Sequence, residues 1–291
     1  MRRFADRHVG AVGLGCRGMS RADPGSSRDD RRPVALIREA VDLGVTFLDT
    51  GDVDGAGHDE TLVGRAVRGI RDLVVVGTGV GRVVDPETGR TRGDGRPEHV
   101  RAAVVASLRR LETEVIDLCY LEGADPEVPA AETWGALADL VAEGRLRHLG
   151  LSEVTVAQAE EAHRVHPVAA IRSELSLWNR DALDGDGNVV GWCAANGAAF
   201  VSYAPLGRGT PRAGDAVRRV AERHAVTPAQ VAIAWTLAQG GHVIPVPGTT
   251  RQCHLYENTR AAGVDLTEED LAELDAVPPP AQDSAGRVTG P

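Results

Sequence analysis

Residues 33–49 read PVALIREAVDLGVTFLD, and this stretch decides the fold. Val34, Ile37, Ala40 and Val41 recur at helical spacing behind a proline suited to a first helical turn, and Gly44 stops the run. Val45 to Asp49 then forms a short apolar run that ends on an acid. It is continuous rather than alternating, which suits a parallel strand covered on both faces. Helix, glycine and strand together make one α/β unit.

The unit recurs along the chain. Strand-like runs are expected at 12–15, 72–77, 115–121, 148–152, 168–175, 199–205 and 242–247, with helices at 59–67, 97–111, 130–141, 156–163, 216–224 and 228–239. Thr227 before Pro228 is suited to cap the last of these. About eight repeats of strand and helix predict an α/β fold, a (β/α)₈ TIM barrel spanning 1–291 as one domain, with an open doubly wound sheet as the alternative. Residues 82–96 and 206–215 are polar and glycine-rich and read as loops over the active-site face. Residues 278–291 lack periodicity and read as a surface tail.

Composition narrows the function. Among 291 residues, 42 are acidic and 32 basic, giving a net charge of −10, which disfavours a broad nucleic-acid interface. All 32 basic residues are arginine; the absence of lysine excludes a Schiff-base, pyridoxal-phosphate or Walker-type lysine. Cys16, Cys119, Cys193 and Cys253 are too scattered for a zinc site or redox dithiol and read as buried free thiols; no metal site is expected. No apolar run approaches the roughly 20 residues of a membrane helix, and the first residues lack the apolar stretch of a secretion signal, so a cytoplasmic location without membrane contact is expected. Nothing in the sequence sets an oligomeric state.

Two familiar motifs fail. Gly77-Thr78-Gly79-Val80-Gly81 has the wrong glycine spacing for a dinucleotide fingerprint and no helix after it. Asp184 to Asn188 begins like a calcium loop, but Val189 and Ala195 stand where glycine and glutamate are needed, so a turn is expected.

Other segments fall into a pattern. Gly13-Leu14-Gly15-Cys16, GVTFLDTGDVDG at 44–55, Glu60-Thr61-Leu62-Val63-Gly64, Val115-Ile116-Asp117-Leu118, Gly150-Leu151-Ser152-Glu153, Ser176-Leu177-Trp178-Asn179-Arg180, SYAPLGRG at 202–209, IPVPGT at 244–249 and Glu257-Asn258 occur in this order and cover nearly the whole chain. As an ordered set they resemble the aldo-keto reductase superfamily, in particular its bacterial members with broad carbonyl substrates. The resemblance implies a barrel with NADPH across its C-terminal mouth. It also implies a tetrad in which a tyrosine protonates the carbonyl oxygen, a lysine paired with an aspartate tunes the tyrosine, and a histidine orients the substrate. By this resemblance Asp49 stands in the aspartate's place, but Asp54 replaces the tyrosine, Gly79 the lysine and Glu122 the histidine.

For the cofactor, the resemblance puts Tyr203 against the nicotinamide, with Ser152 at the carboxamide. Arg172 stands where the family has a glutamine, and Leu206 lies in the loop that follows Tyr203. Gly248, Thr249 and Arg251 fall around the 2′-phosphate, and Glu257 and Asn258 at the adenine. Arg172 has a second reading, as counter-ion to the carboxylates or contact to an anionic substrate group. His58 is the histidine placed to carry a proton.

Three functions follow from the altered tetrad. The leading one is non-redox acid–base chemistry by Asp49, Asp54 and Glu122, as in dehydration, cyclisation or isomerisation of a small carbonyl or hydroxyl compound in specialised metabolism. Clustered carboxylates without a cation are expected to raise one another's pKa. The second is an NADPH-dependent carbonyl oxidoreductase with Asp54 or Glu122 as proton donor. The third is a catalytically silent NADP-binding protein. Hydride transfer separates the second from the others, and a substrate-sized pocket with buried carboxylates separates the first from the third.

Overall fold

The structure, a computed structural model, describes residues 1–20, 29–85, 88–123, 125–184, 187–208 and 214–278. Eight parallel strands stand side by side in chain order: Leu14–Gly15, Phe47–Asp49, Val75–Val80, Ile116–Glu122, Leu146–Ser152, Val168–Glu174, Ala199–Tyr203 and Val243–Pro245. The last meets the first, because Gly15 bridges Gly248 in parallel and Gly13 donates to the Pro245 carbonyl at 2.9 Å. The fold is a (β/α)₈ barrel.

Each strand serves two layers, which is why the runs are apolar throughout. Phe47, Val75, Leu118, Tyr120, Ala170, Val201 and Ile244 point inward and fill the barrel. Their chain neighbours Leu48, Val76, Cys119, Ile171, Phe200 and Val243 face outward and pack under the helices. Ten α-helices are described, at Arg31–Asp42, His58–Val67, Pro97–Arg110, Ala130–Ala142, Val156–Val165, Val189–Asn196, Asp215–Arg223, Pro228–Ala238, Gln252–Arg260 and Glu268–Asp275. Thr227 caps its helix as expected, in a reciprocal box with Gln230; Thr155 with Gln158 and Thr267 with Asp270 repeat the device.

The sequence reading needs correction at several points. Residues 72–73 belong to a 3₁₀ turn, Arg71–Leu73, and the third strand begins at Val75 and runs to Val80. The expected loop at 82–96 contains an antiparallel hairpin, Arg82–Val84 against Thr91–Gly93. Three of the four cysteines are buried, but Cys253 is exposed. An unanticipated hairpin, Arg2–Phe4 with Arg7–Val9, closes the bottom of the barrel. Its Phe4 ring is buried edge-on against Phe47, with centroids 5.6 Å apart. With that end plugged, polar side chains gather at the other. Half of the loop at 206–215 and all but one residue of the tail at 278–291 lie outside the described residues, as does part of the expected turn at 184–188. Among the described residues no helix is long and apolar enough to cross a membrane.

Candidate active site

Asp49 and Glu122 are the last residues of their strands, Gly79 is the penultimate residue of the strand between them, and Asp54 opens the 3₁₀ turn Asp54–Gly57 just beyond Asp49. Strand register puts Asp49 beside Gly77, Gly79 beside Tyr120 and Glu122 beside Ser152. All four positions therefore lie at one end of adjacent strands. Gly79 makes room for the glutamate, since a Cβ at 79 would overlap the Glu122 carboxylate.

Arg172 fills the centre. Its guanidinium is 3% exposed and lies between the two buried acids. Nη1 donates to Asp49 Oδ1 and Oδ2 at 3.2 and 3.3 Å, Nη2 donates to Glu122 Oε1 at 2.6 Å, and both Nε and Nη2 reach Ser152 Oγ. Tyr120 forms the floor, with the guanidinium carbon 4.6 Å from its ring centroid. In this geometry Arg172 is the counter-ion of Asp49 and Glu122. That pairing corrects the expectation that Asp49 stands without a cation.

A second arginine, Arg17, comes from the turn after the first strand. Nη2 donates to Glu122 Oε1, and Nη1 lies 3.3 Å from Asp54 Oδ2. Its loop is pinned by the buried Asp59 carboxylate, which accepts the Gly18 and Ser20 N–H groups, both at 2.6 Å. A third, Arg82, lies 4.0 Å from Glu122 Oε2. Sequence reasoning missed Arg17 and Arg82, because one arginine among 32 carries no signal of its own. The only cue was the position of Arg17 directly after Gly-Leu-Gly-Cys.

Arg172 and Arg17 reset the titration of Glu122. Burial works to raise Glu122, but the Arg172 and Arg17 guanidiniums outweigh it and hold the carboxyl at about 2. Glu122 is thus held as an anion, which departs from the expected elevation of every member, while its charge helps to raise Asp49, Asp52 and Asp54 as clustered carboxylates do. Burial pushes Asp49 up, with Arg172 pulling back. Burial also raises Asp54, against the opposing pull of Arg17. Asp52 goes furthest: burial, with Glu122 and Glu60 adding to it, takes its carboxyl to about 7.

A carboxyl raised in the fold favours folding at acid pH, and that contribution is lost as pH rises through 7. Asp52→Asn should therefore gain on the wild type between pH 5 and 8, by roughly 2 kcal/mol after allowance for partial solvation. Urea unfolding at the two pH values measures it, and a pH-independent difference would refute it.

The other residues singled out by sequence fall in two groups. His58 is committed elsewhere, its Nε2 2.8 Å from Asp30 Oδ1. Tyr203 stands at the end of its strand with the Arg208 guanidinium 5.6 Å above its ring, near the half-buried Leu206. Across the mouth, Gly248, Thr249 and the exposed Arg251 lead into helix Gln252–Arg260, which carries Glu257 and the buried Asn258. That helix has no side-chain cap, so its first N–H groups and Arg251 present a site for an anion. Among the described residues no group of three or more His, Cys, Asp or Glu is placed to hold a metal ion.

Comparison with known proteins agrees with the fold. The family model described as "Aldo/keto reductase family" matches residues 11–278. The chain is 36% identical to a probable aldo-keto reductase of Glycine max, over 93% of this chain and 86% of that protein. The glycerol dehydrogenase of Gluconobacter oxydans superposes with a TM-score of 0.84 at 26% identity, covering 97% of this chain and 98% of that one. An aldo/keto reductase of Klebsiella pneumoniae, crystallised with NADP and acetate, gives 0.81 at 29% identity, covering 97% and 96%. Barrel, seam and site order thus meet in one conclusion: the chain belongs to the aldo/keto reductase family.

Proposed function

We propose that the protein is an NADP(H)-dependent carbonyl oxidoreductase in which Asp54 is the proton donor and Arg172, held by Asp49 and Glu122, supplies the buried positive charge. One observation carries this reading: two guanidiniums fix Glu122 as an anion. A carboxyl at about 2 neither takes nor gives a proton near neutrality, which removes one half of the acid–base pair that non-redox chemistry would need.

The residues fit the cofactor. The uncapped N-terminus of Gln252–Arg260 with Arg251 suits a phosphate, Tyr203 offers an aromatic face, and Ser152 keeps a hydroxyl beside the cluster. Glu257 and Asn258 complete the adenine end. Arg208, 65% exposed and tied to Glu174, has room to leave the Tyr203 ring. When bound, the reduced nicotinamide supplies hydride to the carbonyl carbon. Asp54, raised by burial, gives its proton to the carbonyl oxygen, and Arg17 at 3.3 Å receives the carboxylate left behind. Arg172 and Arg17 oppose the negative charge that develops on that oxygen.

Single-turnover reactions with 4-deuterated NADPH and a panel of aldehydes and ketones test the reading by mass spectrometry. Deuterium should appear at the carbinol carbon. Nucleotide that binds without deuterium transfer to any carbonyl compound would instead favour a silent binder. NADPH should bind more tightly than NADH, and Arg251→Ala should narrow the difference by about tenfold, the value of one charge-assisted contact. Equal affinities in the wild type would remove the 2′-phosphate role from Arg251.

A further inference from the structure

We propose that the carbonyl compound taken by this site carries a carboxylate, and that Arg82 at the mouth of the barrel seats it. The proposal deepens the oxidoreductase reading and rests on it. Arg82 opens the hairpin that follows strand Val75–Val80, so it stands directly above the strand ends that carry Gly79 and Glu122. Arg82 packs over Gly123, the residue after Glu122, whose φ is +78°.

Arg82 is the least satisfied cation of the site. It makes no hydrogen bond to any described residue, and its one ion pair, to Glu122 Oε2, is at 4.0 Å. Glu122 already serves Arg172 and Arg17 through its other oxygen. The Arg82 side chain is 38% exposed, so a ligand can reach it. Arg17, which also binds Glu122, keeps a buried Nε without a hydrogen-bond partner among the described residues. A guanidinium with free N–H groups beside a second arginine is a receptor for a planar carboxylate, which accepts two parallel bonds. A neutral ketone offers no such partner.

The probes are 4-carboxybenzaldehyde and its methyl ester, which share a ring and an aldehyde and differ in one charge. Calorimetry without nucleotide and with NADP⁺ measures binding in the absence of turnover, and a chain without lysine forms no side-chain imine with either. The acid should bind at least about tenfold more tightly than the ester, Arg82→Gln should erase that preference, and Arg82→Lys should keep part of it. With NADPH the ratio of kcat/KM for acid over ester should follow the same order across the three proteins. Acid preference in binding without reduction of either compound would sink the oxidoreductase reading and leave the carboxylate seat standing. Equal binding of acid and ester, no binding of the acid under either condition, or a preference that survives Arg82→Gln overturns the proposal.

Discussion

Arg172→Met should destabilise the protein by about 3–5 kcal/mol, the usual consequence of stripping a buried ion cluster of its cation. Asp49 and Glu122 are each about 2% exposed, and the same guanidinium touches both. Methionine fills the volume and leaves two carboxylates facing each other over the Tyr120 ring. The loss should depend on pH. In the wild type Glu122 sits at about 2, below its unfolded value, so its contribution is complete above pH 5 and is lost as pH falls toward 2. In the variant both acids can escape their penalty only by protonation, so the deficit should be larger at pH 8 than at pH 4. Arg172→Lys should recover only part, because one ammonium cannot donate to Asp49 and Glu122 with the span of a planar fork. Denaturant unfolding across pH decides the matter; a deficit below about 1 kcal/mol would mean that the cluster contributes nothing net.

Asp54→Asn should lower kcat by about 10²–10⁴-fold, the span of general acid catalysis, while nucleotide affinity and folding stay close to wild type. Asparagine keeps the shape beside Arg17 but has no acidic proton. In the wild type, activity should fall as pH rises through the elevated Asp54 pKa, since the donor must be protonated, and the variant should lack that limb. Glu122→Gln should behave differently. It removes an anion that holds two arginines, so it should lower stability and leave the alkaline limb in place. Wild-type turnover by Asp54→Asn would remove Asp54 from the chemistry.

Much of the fold was legible because its signals are local. Pro33 to Asp49 announces helix, stop and strand within 17 residues, and Thr227-Pro228 announces a helix start. Helix Val189–Asn196 escaped because it is short and apolar on most sides, VVGWCAAN, so no 3.6-residue period stands out. Helix Gln252–Arg260 escaped for the opposite reason, with only Leu255 and Asn258 buried. The hairpin after Val80 was hidden because Arg82–Val84 and Thr91–Gly93 are strands by pairing, not by composition.

The site was legible as a set of positions and not as an electrostatic state. The family resemblance could place Asp49, Asp54 and Glu122 at one mouth. Which of them holds a proton depends on Arg17, 105 residues from Glu122 in sequence, and on Arg172, 123 residues from Asp49. Arg172 was open to a counter-ion reading from the sequence, but no local pattern ties Arg17 to Glu122, so the charge state of the group stayed undecided.

The close fit of Gly79 against Glu122 ties space to charge. A Cβ at 79 would overlap the Glu122 carboxylate, so a larger residue there requires Glu122 to swing aside. That movement would take from Arg172 and Arg17 the anion they share. The bare backbone at 79 is therefore part of the electrostatic machinery: it is the absence of a side chain that lets one carboxylate serve two guanidiniums.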